Sequence, residues 1–347
     1  MQKLPSNLYV LFLFMGFLGF SQTLKKTLHT KFCSEKITLD GKLTEEIWSN
    51  TEIATDFVMI APDNGKTEDK NRRTEVKVTY DNDAIYIAAI LYDNQSKKIS
   101  KELTTRDNFV SADHFGVFIN GYNDGQQEFR FTVSAAGVQQ DVLYTSNGED
   151  SSWNAIWDSH VEITDIGWVV EMKIPYAALR FSSEKKQTWG LNFYREINRD
   201  RQTFSWNLLD NKISNESTQA GILEGIENIE TPTRLFLIPY ISQYFNANET
   251  QKTKGEFKGG MDVKYGINDA FTLDAILVPD FGQTTYDNVT LNLSPFEQQF
   301  GENRPFFTEG TDLFNKGGIF YSRRIGGRPS TKANLDTNEE YLSLIHI

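Results

Sequence analysis

The side chains best suited to chemistry in this chain are carboxylates and aromatic rings. It carries 47 Asp and Glu against 35 Lys and Arg, with 25 Phe, 14 Tyr and 6 Trp. Those two types together suit sugar recognition, in which ring faces stack on C–H faces and a few fixed polar groups take the hydroxyls. Trp153 and Trp157 sit beside the polar stretch Ser146-Asn147-Gly148-Glu149-Asp150-Ser151-Ser152. They are candidates for a stacking pair on a surface loop, or for two indoles packed under it on one helical turn. Arg106-Asp107 and Asp113 read either as a polar binding cluster or as a structural ion pair. Asp81, Asp83 and Asp93 flank a hairpin and are candidate oxygen ligands for a structural calcium, or simple turn caps.

Other chemistries lack their residues. Cys33 is the single cysteine, which rules out an intrachain disulfide and a cysteine-ligated zinc site. His29, His114, His160 and His346 lie far apart without metal-type spacing. No Gly-rich phosphate loop and no G-x-S-x-G elbow occurs. A formal charge of −12 and no basic run exclude nucleic acid as a partner. Glycoside hydrolysis needs two carboxylates about 5–9.5 Å apart. No motif marks such a pair, so hydrolysis of O-glycosyl compounds stands only as an alternative.

The elements that must position these groups are strands. Lys3 and the apolar run Leu8–Phe20 have the layout of a secretory leader, here 1–21, and the run is too short to span a membrane. Val76, Val78 and Tyr80 alternate with Glu75, Lys77 and Thr79, predicting a half-buried strand. Ala84 to Tyr92 is apolar on both faces and predicts a central strand. Phe115–Asn120 and Glu128–Val133 predict a hairpin around Asn123-Asp124-Gly125. On its second strand Phe129, Phe131 and Val133 share one face, while Glu128, Arg130 and Thr132 share the other. Trp168–Ile174 and Trp189–Ile197 alternate likewise. Trp48 and Trp168 are in phase with apolar neighbours and are expected in the core. The fold class predicted is all-β, a jelly-roll-like β-sandwich over 34–228.

The order of these segments resembles carbohydrate-binding module family 9. The resemblance rests on D-G-K-L-T-E-E-I-W at Asp40–Trp48, V-x-V-x-Y-D at Val76–Asp81 and I-Y-I-A at Ile85–Ala88. It continues through Asp113, the Phe-Arg-Phe strand at Phe129–Phe131, and G-W-V-V-E-M-K-I-P at Gly167–Pro175. It implies a sandwich that binds the ends of polysaccharides, in some members with structural calcium. In xylanase-attached members two tryptophans clamp the sugar; Val110 stands at the first of these places and Ser214 near the second. Gly116 falls where those members carry a hydroxyl-binding Glu, whereas Glu128 and Arg130 match the polar strand positions. The resemblance thus implies the polar half of a site without its aromatic clamp.

Beyond Thr231-Pro232-Thr233 the character changes. Asn246 to Lys258 is polar and predicts no strand. Met261, Val263, Tyr265 and Ile267, a turn at Asn268-Asp269, and Phe271, Leu273, Ala275 and Leu277 carry the weak alternation of a barrel hairpin. V-P-D-F-G-Q at Val278–Gln283, N-R-P-F-F-T-E-G at Asn303–Gly310 and F-Y-S-R-R-I-G at Phe320–Gly326 are similar to domain of unknown function 5916. That resemblance implies the first strands of an outer-membrane barrel over 235–328. About four strands are too few to close a barrel, which needs roughly eight or more. The chain is therefore expected to be a fragment of a longer protein, with 329–347 an unstructured or artefactual tail. The expectation is an exported protein of the periplasm or outer membrane of a Gram-negative bacterium. It would bind polysaccharide or oligosaccharide in support of glycan breakdown or uptake. The alternative is a structural or transport barrel protein whose sandwich holds no sugar.

Overall fold

The computed structural model describes residues 25–109, 111–145, 148–151, 153–230, 232–248, 251–267 and 271–278, with short stretches between 291 and 324. The leader at 1–21, the Asn268-Asp269 turn and the tail at 329–347 lie outside the described residues.

In chain order the strands are β1 (Thr27–His29), β2 (Lys31–Phe32), β3 (Ile53–Ala54), β4 (Val58–Ala61), β5 (Thr74–Tyr80), β6 (Ala84–Tyr92), β7 (His114–Asn120), β8 (Gln127–Ser134) and β9 (Gln139–Thr145). There follow β10 (Gly148–Asp150), β11 (Asp158–Thr164), β12 (Gly167–Pro175), β13 (Lys186–Ile197), β14 (Gln202–Ser205), β15 (Gly221–Glu227), β16 (Leu235–Asn248), β17 (Gln251–Gly266) and β18 (Thr272–Leu277). A short helix α1 (Glu46–Asn50) precedes β3. One sheet runs β1-β15-β13-β7-β8-β9-β10, with β14 on β13 and β4 on β14. The second runs β11-β12-β6-β5-β2, with β3 on β5. Their inward faces form one core, with Phe115, Val117, Phe129, Phe131, Leu191 and Phe193 from the first sheet. Val76, Val78, Ile87, Leu91, Trp168 and Met172 come from the second. This is the all-β sandwich the alternation predicts.

β6 is central, and its two apolar faces have different covers. Ile85, Ile87, Ala89 and Leu91 enter the core, while Ala84, Tyr86 and Ala88 are capped outside by Cys33, Ile37 and Trp48. The sandwich starts before residue 34. β1 pairs with β15 and β2 with β5, so the chain steps from one sheet to the other at the buried Thr30. Strands of three and two residues carry no alternation to read. Arg195 points inward in phase with Phe193 and is fully buried. Its guanidinium donates to the Arg72 carbonyl at 2.6 Å, the Tyr92 carbonyl at 2.8 Å and Thr74 Oγ1 at 3.0 Å, linking the two sheets. Burial lowers its pKa to about 10, still far above neutrality.

β16, β17 and β18 form a separate antiparallel sheet, and no closed barrel exists among the described residues. Residues 246–248 and 251–258 of the polar stretch lie in strands. β16 and β17 run through it in register from Leu235↔Tyr265 to Asn246↔Lys254. The sequence there is polar without alternation, which hides the backbone pairing from pattern reading.

Candidate functional site

The outer face of the first sheet is built by the same alternation that fills the core. With Phe115, Val117 and Phe131 turned inward, His114, Gly116 and Phe118 of β7 point outward, as do Glu128, Arg130 and Thr132 of β8. Cross-strand register sets Arg130 opposite both Phe118 and Val142, Glu128 opposite Tyr144, and Tyr194 opposite Gly116.

Six planar groups form a continuous row across this face. Phe109 lies 5.1 Å from the His114 ring, His114 stacks on Tyr194 at 5.6 Å, and Tyr194 stacks on Phe118 at 5.8 Å. The Arg130 guanidinium then sits 4.4 Å from the Phe118 centroid and 4.0 Å from that of Tyr144. Gly116 makes room for the row. A Cβ there would meet Phe118 Cε1 at 3.1 Å and Thr132 Oγ1 at 3.0 Å.

Charge is concentrated at one end. Arg130 donates from Nε to Glu128 at 2.8 Å, and from its two terminal nitrogens to Glu149 at 2.8 Å and Glu216 at 2.7 Å. Burial works against the guanidinium charge, but Glu128 and Glu216 outweigh it and hold the Arg130 pKa above its ordinary value. Burial pushes the Glu128 carboxyl up, opposed by Arg130. Glu149 and Glu216 lie on the rim, roughly half exposed, with lone pairs left over for other donors. At the other end Tyr194 donates its hydroxyl to Glu196 at 3.2 Å, and burial, then Glu196, raises its pKa. His114 Nδ1 lies 3.2 Å from the Ala112 carbonyl and Nε2 lies 3.4 Å from Glu196. Burial lowers the His114 pKa, with Glu196 acting in the opposite sense.

Of the residues picked out from sequence, Glu128 and Arg130 meet at this face. Trp153 and Trp157 lie on the other side of β8. Trp157 is 4% exposed, packs edge-on to Phe131 at 5.5 Å, and donates its indole N–H to Asp141 at 3.3 Å. Trp153 is half-buried against Phe129 at 5.1 Å and Phe131 at 5.8 Å. The 153–157 segment is irregular rather than a helical turn, and the indoles close the edge of the core.

Arg106 binds Asp141, Gln139 Oε1 at 2.5 Å and the Ala155 carbonyl at 3.2 Å, fastening its loop to β9 and to the tryptophan segment. Asp113 is buried, accepts the Asn198 N–H at 3.1 Å, and is pushed up to about 6 by burial. Both act as structural groups away from the row. Val110 lies outside the described residues. The Ser214 carbonyl accepts the Tyr144 hydroxyl at 3.4 Å, at the rim of the site.

The three calcium candidates do not converge. Asp81 accepts the Asp83 and Ala84 N–H groups and the Tyr86 hydroxyl, each at 2.8 Å, as a turn cap. Asp93 pairs with Arg199 at 2.7 Å at the far end of β6, about 30 Å away at the usual rise per residue. Among the described residues no group of three or more His, Cys, Asp or Glu could hold a metal ion.

Phe109, His114, Phe118, Tyr144 and Tyr194 escaped sequence reading. The outward phase of Phe118 and Tyr194 is visible in the alternation, whereas Phe109, His114 and Tyr144 fall outside the predicted strands. Their adjacency is not visible, because it depends on pairing between β7 and β13, some seventy residues apart in the chain, and between β8 and β9.

Comparison with known proteins gives two family matches. The model described as carbohydrate family 9 binding domain-like matches residues 39–215, and that of a domain of unknown function (DUF5916) matches residues 231–345. Similar solved structures include a family 9 carbohydrate binding module from Caldicellulosiruptor kristjanssonii in complex with cellotriose. It is 15% identical, with 58% of this chain and 95% of that chain covered and a TM-score of 0.42. The glucose complex from the same organism is 15% identical, with 60% and 100% covered and a TM-score of 0.43. No curated protein matches the sequence.

Proposed function

The chain belongs to the carbohydrate family 9 binding domain-like family, and we propose that its sandwich binds carbohydrate on the outer face of β13, β7, β8 and β9. The observation that carries this reading is the row Phe109–His114–Tyr194–Phe118–Arg130–Tyr144 with carboxylates on its rim. Phe109, His114, Tyr194 and Tyr144, each partly exposed, offer apolar ring surface to a sugar where the row opens to solvent, and Glu149, Glu216 and Glu196 offer acceptors to its hydroxyls. The row takes over the part played by a tryptophan clamp. The test is calorimetric titration of the full chain with xylan, glucan and mannan oligosaccharides, with and without calcium. Saturable binding of one class, lost in Tyr194→Ala, supports the reading. A folded protein that binds none of them refutes it.

The same proposal places the protein in the envelope of a Gram-negative bacterium, accessory to polysaccharide breakdown or uptake. The leader pattern at 1–21 supports export. Membrane seating is supported by the third sheet. One face of it carries Leu235, Leu237, Ile241 and Phe245 of β16, Phe257, Met261, Val263 and Tyr265 of β17, and Leu273, Ala275 and Leu277 of β18, without a charged residue. Aromatic rings mark its two ends. Tyr265 and Phe257 are about 27 Å apart along β17, the scale of the apolar band of outer-membrane barrels. Flotation of the full chain with phosphatidylcholine vesicles, abolished by Leu237→Asp/Ile241→Asp, is the expected result. Flotation unaffected by the two aspartates would refute it.

A further inference from the structure

The opposite face of that third sheet is chemically different, and no part of the sandwich site uses it. Along β16 it presents Phe236, Ile238, Tyr240, Ser242 and Tyr244. The residues opposite them on β17 are Lys264, Asp262, Gly260, Lys258 and Glu256. Asp274 of β18 stands opposite Lys264. Aromatic rings thus recur every fourth residue along one strand, beside a ladder of interleaved charges on the next two.

Tyr240 has a specific setting within this face. A Cβ on Gly260 would overlap its ring and hydroxyl, and that hydroxyl donates across to the Leu277 carbonyl at 3.5 Å. The phenol therefore reaches from β16 over β17 to β18, lying along the sheet instead of standing up from it. Only glycine at 260 allows this. Lys258 Nζ lies 5.1 Å from the Tyr244 ring centroid and 3.5 Å from Glu256. Asp262 Oδ1 has no hydrogen-bond partner in the structure, although it is shielded from solvent beside this row.

We infer that this charged face is a second saccharide-binding surface, distinct from the row on the sandwich, with Phe236, Tyr240 and Tyr244 as its stacking positions. The make-up of the face selects that occupant. Three carboxylates (Glu256, Asp262, Asp274) against three cations (Lys258, Lys264 and Arg234, whose guanidinium lies over Gly266) leave no net charge to attract a polyanion. An apolar peptide would strip water from all six without repaying it. A neutral sugar chain meets the rings with its C–H faces, and its hydroxyls both donate to the carboxylates and accept from the lysines. From Phe236 to Tyr244 the row is about 27 Å long, enough for several sugar rings in line.

The test is calorimetric titration of cellohexaose and xylohexaose into the full chain, held in a detergent without a sugar headgroup. In the Tyr194→Ala background, which disables the sandwich row, a weaker class of binding is expected to persist. Adding Tyr240→Ala/Tyr244→Ala should weaken that class by about tenfold or more. Tyr240→Phe/Tyr244→Phe in the same background should recover most of it, because ring faces rather than hydroxyls carry the contact, and it also shows that the sheet folds. Residual binding that ignores the two alanines overturns the inference, as does the loss of all binding in Tyr194→Ala alone. If wild-type binding responds only to Tyr240 and Tyr244, the sandwich proposal fails and this one stands.

Discussion

Glu171 Oε2 accepts the backbone N–H of Gly41 at 2.6 Å, with that of Asp40 at 2.8 Å beside it. The contact joins the outer face of β12 to the arm that carries Trp48 across the second sheet. Gly41 has φ +80°, and a Cβ there would meet Glu162 Cβ at 2.6 Å, so the close approach requires glycine.

This carboxylate makes stability depend on pH. Burial pushes the Glu171 pKa up to about 7 from 4.5, against the pull of the two N–H groups. The folded state then holds its proton more tightly than the unfolded state. Its contribution is greatest below about pH 4.5, falls as pH rises, and is fully lost above about 7. Asp113, raised to about 6, adds a loss of the same sign. Thermal melts from pH 4 to 8 should show Tm falling through this window, and Glu171→Gln should flatten much of the slope. An unchanged slope in the variant would assign the effect elsewhere.

Arg130 is the cation that lets Glu128 stay buried. Arg130→Met leaves that carboxylate inside without a partner and is expected to cost about 3–5 kcal/mol. The double change Arg130→Met/Glu128→Leu should recover most of the loss, because it removes the charge that needed compensation. Urea unfolding of the three proteins measures this directly. A double variant no more stable than the single one would show that Glu128 does not depend on Arg130.

Trp157 and Trp153 test packing against binding. Trp157→Ala should cost about 3–5 kcal/mol as a core truncation, and Trp153, half-buried, should cost less. Neither should change sugar affinity per folded molecule, since both indoles lie across β8 from the outer row. Abolished binding in the folded double alanine variant would restore them as the stacking pair.

The inward faces of β5, β8, β12 and β13 were legible because a period of two is a local property of the chain. That period runs through Arg195, in phase with Phe193, but it does not say that carbonyls of the opposite sheet receive the guanidinium. Glu128 and Arg130 were legible as one face of one strand. Their partners Phe118, Tyr144, Glu149 and Glu216 come from four other segments, and only tertiary pairing brings them together. The tryptophans drew attention because they neighbour polar residues. Yet Trp157 turns inward, where Asp141 offers its indole an acceptor, and a polar neighbourhood in sequence says nothing of that. The polar arm of β16 and β17 was hidden for the complementary reason, since its sequence lacks the apolar alternation that a pattern reading needs, although the backbone pairs there.

Gly116 gives the sharpest test of the outer row. The family resemblance sets a hydroxyl-binding Glu at this position, which suggests that Gly116→Glu would restore affinity. The structure argues the reverse. The space over Gly116 is already taken by Phe118 Cε1 and Thr132 Oγ1, at 3.1 and 3.0 Å from where a Cβ would stand. A longer side chain must push the Phe118 ring off Tyr194 and away from the Arg130 guanidinium. It also adds a carboxylate beside Tyr194, whose hydroxyl already faces the Glu196 carboxylate. Gly116→Glu should therefore weaken cellohexaose binding, and Gly116→Ala should weaken it less, in step with the displacement each demands. Calorimetry on the two variants checks the order, and a gain in affinity from Glu would show that the ring row does not hold the sugar.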